Sequence, residues 1–220
     1  MKRFWTHVTV EDGAILLDGR PVKSPGRVSL VLPTAQLAEA VADEWRAVGE
    51  KIDPRTMPLT GLANASIERA PDPATLAVYA ETDVLCYRAE TPPELAVREG
   101  EVWDPLLDWA RARYDVTFHV TAGIIHVAQP APTVTRLTSA VEALSDWQRT
   151  ALSPIVTIGG SIVVAMMLFE GAIEAEAAFD ACHLDELWQA ELWGEDWMAT
   201  DARAARRADF MAAVRFLRLL

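Results

Sequence analysis

Between residues 4 and 31, apolar and polar positions alternate at the two-residue period of a strand. Phe4, Thr6, Val8 and Val10 stand against Trp5, His7 and Thr9, so both faces carry bulk. Asp12-Gly13 and Asp18-Gly19 interrupt the alternation with pairs that accept positive φ, and Ser24-Pro25-Gly26 makes a third turn. These spacings predict an antiparallel meander. The period then changes. Leu37, Val41 and Trp45 recur four residues apart behind Thr34. This predicts a helix over 34–48, capped by the threonine hydroxyl and stopped at Gly49. Pro54 and Pro58 bracket an extended connector, and a short helix is predicted over 62–69. Asp72, with Pro73 at the first helical position, starts another towards Val84.

From Asp83 onward helical spacing dominates. Helices are predicted over 95–113 (with Asp104-Pro105 as a restart), 137–144, 147–169 and 173–193. A last helix runs to Leu220 with Phe210, Val214 and Leu217 inward and Arg203, Arg206, Arg207, Arg215 and Arg218 elsewhere. Only 116–120 and 124–127 depart from this pattern, as short apolar runs that predict a β-hairpin across Ala122-Gly123. The predicted fold class is therefore α+β. A small N-terminal domain over 1–83 holds the antiparallel meander and its helices, and 84–220 form a mainly α-helical bundle domain with one short β-hairpin. Residues 150–169 carry no charge and match the span of a bilayer in length. Ser153-Pro154 and Gly159-Gly160 interrupt them, however, which predicts a buried helix at a close crossing rather than membrane insertion.

Charge changes the picture most in one place. Residues 170–202 hold ten of the chain's 32 carboxylates and no Lys or Arg, and the whole chain carries a formal charge of -12. Trp188, Trp193 and Trp197 lie in the same stretch, and Leu184, Leu187, Trp188 and Leu192 recur at helical spacing. One helical face is thus predicted to pack while Asp185, Glu186, Gln189, Glu191, Trp193 and Glu195 face outward. Aromatic side chains beside charge are how interaction surfaces are built. With no lysine or arginine nearby in sequence, Glu186 is expected to find its positive partner in another chain; the alternative is a pair with Arg203, Arg206 or Arg207 of the last helix that holds the bundle together. An acidic chain is a poor partner for nucleic acid, whose phosphates need a basic stripe.

Catalytic chemistry has little to stand on. No phosphate loop, dinucleotide fingerprint or nucleophile elbow occurs. Cys86 and Cys182 are far apart and outside any metal-ligand spacing, which suits a reducing compartment. His183 and Glu186 stand at i, i+3, and Glu191 follows on the same predicted helix. The alternative function is therefore a carboxylate–metal enzyme around His183, Glu186 and Glu191. A di-iron bundle would need such motifs on two helices. The expectation is no metal, no cofactor and no catalytic residue.

Several segments, in order, carry a resemblance. They are Arg3-Phe4-Trp5, Leu17-Asp18-Gly19-Arg20-Pro21-Val22-Lys23, Leu32-Pro33-Thr34 leading to Glu44-Trp45, and Met57-Pro58-Leu59-Thr60 with Asn64. Thr82-Asp83-Val84-Leu85-Cys86-Tyr87-Arg88-Ala89, Trp103-Asp104-Pro105-Leu106 and Leu184-Asp185-Glu186-Leu187-Trp188-Gln189 closing on Trp193-Gly194-Glu195-Asp196 complete the set. Over nearly its whole length the chain resembles the assembly chaperones for the alpha subunit of the F-type ATP synthase catalytic head. Ser24 and Ala65-Ser66 depart from the residues common in that family. The resemblance implies a non-enzymatic chaperone that holds newly made alpha subunit and shields its beta-facing surface. It also implies an important role for the acidic position at Glu186. Mitochondrial relatives carry transit peptides for the matrix, whereas the start Met1-Lys2-Arg3-Phe4-Trp5 reads directly into strand-like sequence. A cytoplasmic, bacterial member is the expectation.

Overall fold

The computed structural model describes residues 2–194 and 197–220. Its contacts divide the chain into two compact units. The first comprises 1–71 with 145–151 and 212–220; the second comprises 72–144 and 152–211.

In the first unit, β1 (Val8–Glu11), β2 (Ala14–Leu17) and β3 (Arg20–Pro21) form an antiparallel sheet in that order. Val8 pairs with Leu17 and Glu11 with Ala14. Asp12, Gly13, Asp18 and Gly19 all have φ between 47° and 79°, the positive values that a tight hairpin demands. The strand character stops short of Phe4. The carboxylate of Asp18 accepts the backbone N–H groups of Thr6 and His7 at 3.1 and 2.8 Å, so a side chain stands in for the ladder there. Trp5 is buried while Phe4 is exposed.

Helix α1 (Ala35–Ala47) packs Leu37, Val41 and Trp45 against this sheet, with Ile15, Leu17 and Leu30 buried beneath. Thr34 Oγ1 accepts Leu37 N–H at 3.1 Å and donates to the Leu219 carbonyl. Thr34→Ala removes both bonds and is expected to cost about 1–2 kcal/mol, read as a lower midpoint in urea.

Helix α2 (Pro58–Glu68) starts one turn before the predicted 62–69. The reason lies in α1. Glu44 accepts Leu59 N–H at 2.8 Å, and Thr60 N–H and Oγ1 both at 2.7 Å. A carboxylate fifteen residues away thus satisfies the free N–H groups of the first turn, and Pro58 has none to satisfy.

The second unit is helical apart from β4 (Tyr87–Arg88) and β5 (Thr121–Ala122). These pair in parallel with each other, so the predicted hairpin is absent. Residues 116–120 find other partners instead. Thr133 Oγ1 accepts Thr117 N–H and donates to its carbonyl, and the Gln129 amide does the same for His119. With its backbone satisfied by side chains, the run needs no strand opposite it. Ile124 is then left 98% exposed.

Helix α5 (Pro93–Tyr114) continues through Pro105 rather than restarting there. The fully buried Trp103 and Leu107 flank the proline, and Trp103 Nε1 donates to the Ala181 carbonyl at 2.8 Å. Helix α3 (Pro73–Ala77) and α4 (Tyr79–Thr82) lead to Asp83, and α6 (Ala131–Glu142) packs on both.

The uncharged stretch forms two helices, α7 (Asp146–Gly159) and α8 (Ile162–Phe169). They part at Gly160, whose φ of 69° a side chain resists, and Ser161 caps the second. A Cβ on Gly159 would meet Cys182 Sγ at 2.9 Å, which is the close crossing the small residue permits. Ile162 to Leu168 are all buried. Among the described residues no helix is long and apolar enough to cross a membrane.

Candidate functional site

The acidic stretch folds into α9 (Ala175–Cys182), α10 (Leu184–Trp193) and the start of α11 (Trp197–Arg218), the first two parting at His183. On α10 only Leu184 is buried; Leu187 and Trp188 are half-buried, and Leu192 is exposed rather than part of the packed stripe. The apolar face is therefore shorter than its spacing predicts. Asp185, Glu186, Gln189, Glu191 and Trp193 are all exposed, and Trp193 stands 78% open. Glu195 lies outside the described residues.

Glu186 has a partner in its own chain, the second of the two expectations for it. Arg206 Nη2 donates to both of its carboxylate oxygens, at 2.7 and 2.6 Å. The local lack of basic residues is answered from elsewhere. Arg98 of α5 grips Glu191 with two bonds and lies 5.6 Å from the Trp188 ring, while Arg113 holds Glu170 and Arg207 holds Glu176. The Arg98 bond keeps the Glu191 carboxyl below the usual range. At least four acids of the stretch are thus neutralised by arginines of α5 and α11, and the acidic surface is less self-repelling than its sequence implies.

Between α10 and α11 runs a groove of about 610 Å³. Glu186, Gln189 and Trp193 line one wall, and Arg203 and Arg206 the other. Ala190, Gly194, Ala199 and Ala202 supply at most a methyl group to fill it. Trp193 in its wall is exposed, as are Leu192 beside it in sequence and Trp197 and Met198 at the start of α11. Asp185 projects on the other side of α10, where its carboxyl approaches the buried carboxyl of Glu99 on α5; burial pushes Glu99 up to about 7. Sequence spacing brought out the acidic and aromatic wall and offered Arg203 and Arg206 only as the second reading of Glu186. Their i, i+3 placement on the last helix is the signal that one basic face of α11 could oppose α10.

The metal alternative loses its ligands one by one. His183 is buried, stacks on Phe179 at 3.9 Å and places Nδ1 2.8 Å from the Phe179 carbonyl. Burial holds its imidazole below the usual range. Glu186 and Glu191 are on Arg206 and Arg98. Among the described residues no three histidine, cysteine or carboxylate groups stand together as metal ligands do. Burial also pushes the thiols of Cys86, to about 12, and of Cys182 well up, so neither is poised as a thiolate.

Comparison with known proteins gives the family. The family model described as ATP12 chaperone protein matches residues 2–111. Atp12 from Paracoccus denitrificans, a crystal structure, superposes with a TM-score of 0.93 at 40% identity, covering 99% of this chain and 97% of that one. A chain from Agrobacterium tumefaciens gives 0.92 at 35% identity, covering 99% and 85%. The mitochondrial protein atp12 of Schizosaccharomyces pombe is 28% identical over 214 residues, 88% of this chain and 74% of its own. The chain belongs to the ATP12 chaperone family, whose members are chaperones of ATP synthase assembly.

Proposed function

We propose that the chain holds the unassembled alpha subunit of the F-type ATP synthase catalytic head, shields its beta-facing surface, and then leaves without catalysing a reaction. The observation that carries this is the groove between α10 and α11, with Trp193 and Leu192 exposed beside Glu186 and Gln189. A lone subunit exposes an apolar interface larger than the ~300–600 Å² patch a monomer normally tolerates. A chaperone burying about 800 Å² of it would cover a useful share. In this account Trp193 supplies contact area, and Asp185, Glu186, Gln189, Glu191 and Glu195 orient a positively charged client surface. The Glu186–Arg206 pair is 41–46% exposed, so a client arginine can compete for the carboxylate.

Glu186→Lys tests the assignment. An exposed ion pair contributes about 0–1 kcal/mol, so the variant is expected to lose about 1 kcal/mol of stability against the facing arginines. Binding to alpha subunit, measured by titration calorimetry, is expected to weaken by ~2–5 kcal/mol if the client cation is desolvated. Glu186→Lys with Arg206→Glu should restore melting but not binding. Restored binding in that double variant would make Glu186 a residue that only holds α10 to α11.

A further inference from the structure

A second concavity lies in the first unit and shares no residue with the groove. It is a pocket of about 300 Å³ lined by Phe4, Leu17, Pro21, Val22 and Trp45, with Arg20 and Lys23 also in its wall. That volume sits at the small end of ligand pockets and has room for one large apolar side chain. Leu17, Val22 and Trp45 are buried, whereas Phe4, which meets Trp5 edge to face, is 61% exposed. The indole N–H of Trp45 is buried and has no acceptor among the described residues. A buried indole N–H usually finds one.

Charge sets the ligand class. Arg20 and Lys23 are exposed and form no salt bridge among the described residues, in a chain whose net charge is strongly negative. The nearest acid in sequence, Asp18, is occupied by the N–H groups of Thr6 and His7, although it also attracts Arg20 at longer range. Arg20 and Lys23 are three positions apart, up to roughly 10 Å of chain where it is extended. A single carboxylate neutralises one of the two charges. Two carboxylates flanking an apolar residue can neutralise both, where the peptide bends so that all three side chains face the wall.

We infer that this pocket binds an acidic–apolar peptide segment, seating its apolar side chain between Phe4 and Trp45 and its flanking carboxylates on Arg20 and Lys23. The peptide is a partner's, and the site acts independently of the groove between α10 and α11. It gives the protein a second, chemically distinct contact.

The test uses the full chain labelled with ¹⁵N at tryptophan, with the Trp45 indole resonance assigned through Trp45→Phe. Three probes are titrated: acetyl-Asp-Phe-Asp-amide, acetyl-Lys-Phe-Lys-amide and 3-phenylpropionate. The acidic peptide is expected to move the Trp45 resonance saturably, with the other two at least tenfold weaker. Arg20→Glu with Lys23→Glu, both at exposed positions, should invert the preference between the peptides. Phe4→Ala should weaken both peptides while keeping their order. An unmoved Trp45 resonance, or equal binding of the two peptides, overturns the proposal. Equal binding of phenylpropionate overturns the peptide assignment in favour of a small-molecule site. A charge reversal without effect removes Arg20 and Lys23 from it.

Discussion

Asp83→Ala is expected to cost about 3–5 kcal/mol of stability at neutral pH, enough to unfold a typical domain in part. Asp83 is fully buried, yet each of its oxygens is in use. Oδ1 accepts Leu85 N–H at 3.1 Å, and Oδ2 accepts Ser161 Oγ–H at 2.9 Å and Val163 N–H at 3.0 Å. One side chain therefore starts the turn after α4 and caps the first turn of α8. Alanine leaves those donors buried without an acceptor, at about 1–3 kcal/mol each before relaxation. Asp83→Asn is not neutral either, because the amide NH₂ brings a donor to a place that already holds donors. Its cost is expected to fall between zero and that of Asp83→Ala.

The same residue gives a pH signature. Burial raises the Asp83 carboxyl to about 6 from an ordinary 3.8, against the opposing effect of its hydrogen bonds. The fold thus favours the protonated form. This contribution is fully present below pH 3.8 and is lost as pH rises through 6. The cost of Asp83→Ala should accordingly be greater at about pH 4.5 than at about pH 7.5, by on the order of 1–3 kcal/mol. Denaturant melts of both proteins across that range check it. A pH-independent difference would mean that Asp83 is ionised throughout.

Trp45→Ala is the second large effect, about 3–5 kcal/mol for truncating a buried tryptophan. Trp45 is 9% exposed and meets Trp5 edge to face, with ring centroids 5.3 Å apart and planes at 61°. Trp5 in turn meets Phe4 at 5.2 Å and 82°. The three rings link the start of the chain to α1, so the loss should fall on the sheet as well as the helix. Trp45→Phe should recover much of it. A Trp45→Ala variant that melts like wild type would place this ring outside the core.

Trp45 also illustrates what a sequence makes legible. Its position four residues after Val41 and eight after Leu37 is enough to put it on the packed face of α1, because helical geometry is local. The same holds for Thr34 as a cap and for the two Asp-Gly turns. Features decided at a distance were not legible. The start of α2 depends on Glu44, and the loss of the predicted hairpin depends on Gln129 and Thr133 bonding to an extended segment ten or more residues earlier. Nothing local could show that 145–151 and 212–220 belong with the first unit.

The candidate site divides along the same line. Exposure of Asp185, Glu186, Gln189, Glu191 and Trp193 followed from where the apolar stripe lies on α10. Of the opposing arginines, Arg206 stood only as the second reading for Glu186, twenty residues away, and Arg98, 93 residues from Glu191, was not legible. The acidic run therefore looked like an unpaired surface awaiting a partner. In the fold it is a partly neutralised one whose open feature is the groove and its exposed tryptophans.

The central claim is that this chain keeps alpha subunit soluble by covering its exposed surface. Light scattering during dilution of denatured alpha subunit, with and without an equimolar amount of the chain and with no ATP added, measures this directly. The account predicts strongly reduced scattering in the presence of the chain, with the reduction lost in Glu186→Lys and Trp193→Ala. Unchanged scattering with the wild-type chain would contradict it.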